Sequence, residues 1–245
     1  MIAIEHRRAA AASSPPDAHW WALVAHVSHE LRTPLNAALG FAQLLESDPA
    51  VELPADRKAW LTHMAGACRH VVELVQDLLD LSRLEQGGRP LSCLPVTLQP
   101  LLLEVAGLLQ REAALAGVTV HCIDETPPSH ARADVRALRQ VLLNLLSNAI
   151  KYNRPGGRVE LRVRAAEHVT IEVRDTGRGL SSAQLSHLYE PFNRLGAEGS
   201  PVPGSGLGLA ITRRLCEAMS GSIALHSEPG LGTRAIVTLP PVVRC

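Results

Sequence analysis

The sequence has no surplus of charge of either sign: Lys and Arg together number 24 and Asp and Glu together number 24, so the formal net charge is zero. That balance gives no bulk attraction for nucleic acid or an anionic membrane, and partner choice must rest on local surfaces. Cysteine is scarce and scattered. Cys68, Cys93, Cys122, Cys216 and Cys245 are odd in number and contain no C-x-x-C pair. They therefore fit a reducing compartment such as the cytoplasm, and lack the spacing of a metal knuckle. Long apolar runs are missing too. No stretch approaches the ~20 consecutive apolar residues a membrane helix requires, and the longest candidate, Trp20 to Val27, is interrupted by His26. The run Ala9 to Ala12 behind Arg7-Arg8 is too short and too weakly apolar for a signal-peptide core. The chain is expected to be soluble as it stands, without room for a sensory module of its own.

What is present is apolar content of 46% over 245 residues, enough for one large or two small packed units. Residues 1–18 are rich in Ala, Ser and Pro and read as a flexible lead-in. From Trp20 to about Glu46, Val24, Val27, Leu31, Leu35, Ala38, Ala42 and Leu45 recur at steps of three and four, the seam of a coiled-coil-like helix. The phase slips around Leu31, and Pro34 would remove the hydrogen bond to the Glu30 carbonyl, so a bend is expected just after His29. A turn follows at Asp48 to Pro54. A second helix from about Asp56 to Glu85 then carries Trp60, Met64, Ala67, Val71, Leu74, Leu78 and Leu81 in 4-3 alternation. Two helices with one seam each cannot bury both seams alone. A four-helix bundle built from two chains is the natural remedy, and a monomeric hairpin leaning on the C-terminal half is the alternative.

Gln86-Gly87-Gly88-Arg89-Pro90 reads as a linker, after which strands and helices alternate. Strands are expected near Val96, at Val118 to Ile123, Arg158 to Arg164 and Val169 to Arg174. Helices are expected from Pro100 to Ala116 and from about Asp134 to Tyr152, with a short one in the loop-rich stretch beyond. A helix from Gly206 to Met219 and a hairpin of Ser222 to Ser227 with Thr233 to Leu239 close the chain. That order predicts a two-layer α/β sandwich. The domains are thus 1–18 as lead-in, 19–86 as helical hairpin and 91–241 as α/β unit.

Three groups of residues carry chemistry. At about 100° per residue His29 falls roughly 160° from the centre of the first seam, held out to solvent with Glu30 beside it and Thr33 one turn on. An exposed imidazole can attack phosphorus through one nitrogen while a neighbouring carboxylate orients the other, which makes His29 a nucleophile and Glu30 its orienting base. On the long helix of the second unit, Leu138, Leu142, Leu145 and Ala149 form the apolar stripe, and Asn144, Asn148 and Lys151 share a separate polar one. Amide oxygens suit Mg²⁺ and the ammonium suits phosphate. In Val169-Thr170-Ile171-Glu172-Val173-Arg174 the odd positions face inward, and Asp175 inherits that parity. A carboxylate turned inward needs donors, and the exocyclic amine of adenine is one; Gly177 and Gly179 would let backbone approach the flat base.

Ser28-His29-Glu30-Leu31-Arg32-Thr33-Pro34-Leu35-Asn36 resembles the H-box of sensor histidine kinases. Asn144-Leu145-Leu146-Ser147-Asn148-Ala149-Ile150-Lys151-Tyr152 resembles the N-box of the ATPases that include those kinases, Hsp90 and DNA gyrase. Asp175-Thr176-Gly177-Arg178-Gly179-Leu180 is similar to the G1 box, Glu190-Pro191-Phe192-Asn193-Arg194 to the F-box, and Gly204-Ser205-Gly206-Leu207-Gly208-Leu209-Ala210 to the G2 box. The boxes stand in the family's order from about residue 24 to 239. The resemblance implies a dimeric helical hairpin followed by the α/β two-layer ATP-binding sandwich of that ATPase family. It implies ATP and Mg²⁺ as cofactors and His29 as phosphoacceptor, with a response-regulator aspartate as the final acceptor. Thr33 would align a water for dephosphorylating that partner.

By the same resemblance Tyr152, Leu180, Phe192, Ser205, Leu207 and Leu209 line the nucleotide site with the residues already named. The glycine-rich 195–203 would be a lid, the G2 glycines would open a helix toward the triphosphate, and Arg194 would add charge as the γ-phosphoryl moves. Asn36 and Leu39 are candidates for choosing the receiver domain. A nucleotide-gated scaffold and a plain ATPase of the same fold remain alternatives. So do reaction within one chain or across the dimer, and an upstream sensor carried as further sequence or as a separate subunit.

Overall fold

The computed structural model describes residues 31, 33–45, 54–85, 91–125, 129–196 and 204–242. The chain divides into two compact units, Met1–Gly88 and Arg89–Cys245.

In the first unit, α1 runs over 33–45 and α2 over Ala55–Glu85. Each is amphipathic, and each keeps much of its apolar surface in the open. On α2, Ala65, Val75, Leu79, Leu81 and Ser82 are buried, but Trp60 is 66% exposed and Met64 and Val71 are exposed as well. On α1, Ala42 is buried while Phe41, Leu44 and Leu45 are exposed. The seam read from the sequence is therefore closed near its end, at Leu81, and open at Trp60, Met64, Ala67 and Val71. An uncovered stripe of that size on one helix face marks an interaction surface.

The second unit is a two-layer sandwich. A five-stranded sheet has the order β2-β4-β5-β7-β6, formed by β2 (Thr119–Asp124), β4 (Arg158–Ala165), β5 (Val169–Asp175), β6 (Ser222–Glu228) and β7 (Gly232–Leu239). β2 pairs with β4 in parallel and the other pairings are antiparallel. A second, two-stranded sheet joins β1 (Leu94–Thr97) to β3 (His130–Ala133). α3 (Leu98–Leu108), α5 (Val135–Lys151) and α7 (Gly208–Ala218) cover one face of the large sheet, α3 over β2, α5 over β4 and β5, and α7 over β6 and β7. Strand parity decides the core. Val159, Leu161, Val163, Ile171, Val173, Val237 and Leu239 point toward the helices and are buried. Leu138, Leu142, Leu145, Leu146 and Ile150 of α5 answer them, each fully buried Leu contributing about 2 kcal/mol.

The uncovered face of the sheet is a mixed-charge ladder. Arg162 bonds Glu160 and Glu125, Arg164 bonds Glu125, and Arg234 bonds Glu172. Arg162, Arg164 and Arg234 are thus each answered by a carboxylate.

Three elements differ from the sequence reading. The helix expected from Pro100 to Ala116 starts at Leu98 and breaks at Leu109 into α3 and α4 (Gln110–Ala116), where Gly107 weakens the turn. β3 was hidden because its four residues, His-Ala-Arg-Ala, carry little strand signal, and β1 supplies the pairing that defines it. α7 begins at Gly208 rather than Gly206, with Gly206 at φ 72° in the preceding loop.

α5 is positioned from its first turn. Asp134 caps it, its Oδ1 accepting from the N–H groups of Arg136 (2.9 Å) and Ala137 (3.1 Å), and its Oδ2 accepts from the N–H of Ser92 (3.0 Å). One carboxylate thus fixes both the helix start and the segment leading into β1. Among the described residues no helix is long and apolar enough to cross a membrane.

Candidate nucleotide site

β5 ends in Asp175, which the strand's parity turns inward, half-buried. Burial pushes its carboxyl above the ordinary carboxylate value, against the lowering effect of two backbone donors. Those donors are the N–H groups of Gly177 (2.7 Å) and Thr233 (3.2 Å), and both meet Oδ1. Among the described residues no donor meets Oδ2, which is left as an acceptor for an incoming one.

Beyond Asp175 the chain turns sharply. Gly179 sits at φ 65°, and a Cβ there would stand 1.9 Å from the Glu228 carbonyl oxygen. No other residue type fits that approach. The next N–H, of Leu180, donates to Ser227 Oγ at 2.8 Å. The guanidinium of Arg178 stacks 4.5 Å from the Tyr152 ring centroid, and the Arg178 N–H donates to the Tyr152 carbonyl at 3.1 Å. Tyr152 caps the C-terminus of α5 and is half-buried, as is Lys151 before it. The G1 turn and the end of the N-box helix are thereby joined.

Asn144 and Asn148 lie on the side of α5 that meets α7. Asn144 Nδ2 donates to Thr212 Oγ1 at 2.7 Å, and Asn148 Nδ2 donates to Asn144 Oδ1 at 3.4 Å. Gly208 permits the approach: a Cβ on it would lie 2.3 Å from Asn144 Oδ1. Leu207, just before, is fully buried and anchors the turn, while Leu209 and Gly204 are half-buried. Ser205 Oγ accepts from the Leu207 N–H at 3.1 Å.

The F-box meets the G2 loop through backbone. Phe192, at φ 65° and 59% exposed, donates its N–H to the Gly206 carbonyl at 3.1 Å. Arg194 follows, half-buried, in a segment tied back to α6 (Ser182–Ser186) by the Gln184 side chain, which donates to the Leu195 carbonyl. Residues 197–203, all of the expected lid after Gly196, lie outside the described residues.

The N-box, G1, F-box and G2 segments are therefore linked: the G1 turn after Asp175 to Tyr152, Tyr152 to the G2 loop, where a Cβ on Gly204 would lie 3.8 Å from its hydroxyl, and the G2 loop to Phe192 and Asn144. Of the H-box, Thr33 is exposed on α1. His29, Glu30 and the Glu30 carbonyl that Pro34 would displace lie outside the described residues. Sequence reading missed Thr233, Ser227, Arg178 and Thr212. The first two reach the site across strand pairings that no local pattern reveals. A hydroxyl on the apolar face of α7 was the available signal for Thr212.

Comparison with known proteins gives the family. The model of the His Kinase A (phospho-acceptor) domain matches residues 22–87, and that of the Histidine kinase-, DNA gyrase B-, and HSP90-like ATPase matches residues 133–243. The chain belongs to the histidine kinase family. Its second unit carries that family's ATP-binding fold. The cell-division control histidine kinase PdhS of Brucella suis is 34% identical over 230 residues, 89% of this chain and 22% of the relative. The non-motile and phage-resistance protein of Caulobacter vibrioides is 35% identical over 224 residues, 89% of this chain and 26% of the relative. The chain thus spans about a quarter of the length of these curated relatives. The crystal structure of full-length ShkA in complex with AMPPNP superposes with a TM-score of 0.75 at 34% identity, covering 91% of this chain and 46% of that one.

Proposed function

We propose that the protein uses ATP to phosphorylate its own His29 and passes the phosphoryl group to an aspartate on a response-regulator receiver domain. The observation that carries this is the inward carboxylate of Asp175, whose Oδ1 is saturated by two backbone donors while Oδ2 stands ready for a purine amine. In this reading residues 19–86 are the dimerisation and phosphotransfer hairpin, residues 91–241 the ATP-binding domain, and the cytoplasm is where they act. The open stripe of Trp60, Met64, Ala67 and Val71 supports a homodimer, since two such stripes bury each other in a four-helix bundle.

The division of labour follows from the chemistry. Phosphoryl transfer asks a protein for positioning and charge neutralisation more than for covalent steps. Asp175 reads adenine, and the turn of Gly177, Gly179 and Leu180 lies along the base beside Tyr152. Lys151, Phe192 and the G2 residues Gly204 to Leu209 surround the phosphates, with N–H groups at the start of α7 directed to anionic oxygens. Of the amide pair Asn144 and Asn148, the oxygen of Asn148 is the one turned outward to fit Mg²⁺, which would neutralise phosphate charge when bound, while that of Asn144 accepts from the Asn148 amide. Arg194 meets the charge that develops on the transferred group. His29 attacks, Glu30 stabilises the imidazolium, and Thr33, already exposed on α1, aligns water for the reverse, dephosphorylating reaction on the partner.

Incubation with MgATP is expected to give acid-labile, base-stable phosphate on His29. His29→Gln should lose the label and keep nucleotide binding. Binding without label would point to a nucleotide-gated scaffold, and phosphate release undiminished in His29→Gln to a plain ATPase; either outcome refutes the proposal.

A further inference from the structure

We infer that Thr212 is a positioning residue for the metal-facing amide, acting through Asn144 on Asn148. The inference rests on the nucleotide-site reading above and names which atom of the amide pair faces the ion. Thr212 is 1% exposed on α7, with Ile211, Leu215 and Cys216 buried beside it. A hydroxyl so placed needs a partner. Its Oγ1 accepts from Asn144 Nδ2 at 2.7 Å. The opposite end of the same amide, Oδ1, accepts from Asn148 Nδ2 at 3.4 Å.

A side-chain amide has one donor end and one acceptor end, so fixing one fixes the other. With the donor of Asn144 committed to Thr212, its oxygen faces Asn148 and takes that residue's donor. Asn148 is then left with Oδ1 on its outward side, and an amide oxygen is the atom a hard cation accepts. Gly208 completes the constraint, because its bare Cα lets Asn144 Oδ1 lie against the first turn of α7. Thr212, Asn144 and Asn148 therefore act in series, and Asn144 is the link that aims Asn148.

Thr212→Val keeps the shape and deletes the acceptor. Asn144 can then turn its donor toward Asn148, which answers by turning its oxygen inward, away from the ion. In nucleotide titrations of the whole chain, Mg²⁺ is expected to strengthen binding of a non-hydrolysable ATP analogue in the wild type. In Thr212→Val the affinity with Mg²⁺ should fall about tenfold, the loss expected for one misplaced charge-assisted bond. Affinity in EDTA should stay at the wild-type value, and Thr212→Ser should restore the Mg²⁺ effect. Equal losses with and without Mg²⁺, wild-type affinity in both, or failure of Ser to rescue would overturn the inference. Asn148→Ala separates the layers. If it abolishes the Mg²⁺ effect while Thr212→Val does not, the role of Thr212 alone falls; if it leaves the effect intact, the site reading falls and the inference with it.

Discussion

Asp175→Asn tests the nucleotide site while sparing the fold. Asn keeps an oxygen where Asp175 Oδ1 accepts from Gly177 (2.7 Å) and Thr233 (3.2 Å), so both backbone donors stay satisfied. At the other position it replaces an anionic acceptor with an NH₂ donor, which opposes the exocyclic amine of adenine. A hydrogen bond to a charged group is worth about 1.5–3 kcal/mol, so ATP affinity should fall roughly ten- to hundredfold. The stability consequence has the opposite sign. Burial raises the folded pKa of Asp175 above its unfolded value. Its stabilising contribution is therefore present below the ordinary carboxylate pKa and lost as pH rises through the raised one. At neutral pH the ionised side chain is a cost that Asn removes, and the melting temperature of the variant should equal or exceed that of the wild type. GTP provides the internal control, since the new donor faces guanine O6 and the preference for ATP over GTP should shrink. Fluorescent-nucleotide titration and thermal melts read all three quantities. A variant that binds ATP within twofold of the wild type, or that melts well below it, refutes the assignment of Asp175.

Gly179→Ala should destabilise the second unit by about 3 kcal/mol in chemical denaturation, because the new methyl meets the Glu228 carbonyl oxygen at a backbone φ of 65°; a loss below about 1 kcal/mol contradicts that geometry. Asp134→Ala should cost about 2 kcal/mol by releasing the donors of Arg136, Ala137 and Ser92. Burial pushes the Asp134 carboxyl up, but the N–H groups of Ala137, Ser92 and Arg136 together hold it below its ordinary value. Its contribution is thus present above the unfolded pKa and should fade as pH falls through the folded one; a pH-independent difference between wild type and Asp134→Ala refutes this. Trp60→Glu with Val71→Glu should convert a sedimenting dimer to monomer while nucleotide affinity of the second unit is retained, and a dimer that persists rules out the open stripe of α2 as its interface.

The sequence by itself determined the elements whose signals are local. Strand parity turned Asp175 inward, the apolar stripe of α5 set Asn144 and Asn148 on its polar flank, and the two helical seams specified a hairpin with more apolar surface than it can bury. These follow from periods of two and 3.6 residues, which any reader of the chain can count. Tertiary structure decided what depends on neighbours far along the chain. β3 exists because β1 pairs with it, Asp175 Oδ1 is filled because β7 brings Thr233 to it, and the amide of Asn144 is oriented because α7 places Thr212 against α5. Hydrogen bonds between elements carry direction as well as proximity. Direction is fixed only when both partners are in place, which is why it could not be read from either segment alone.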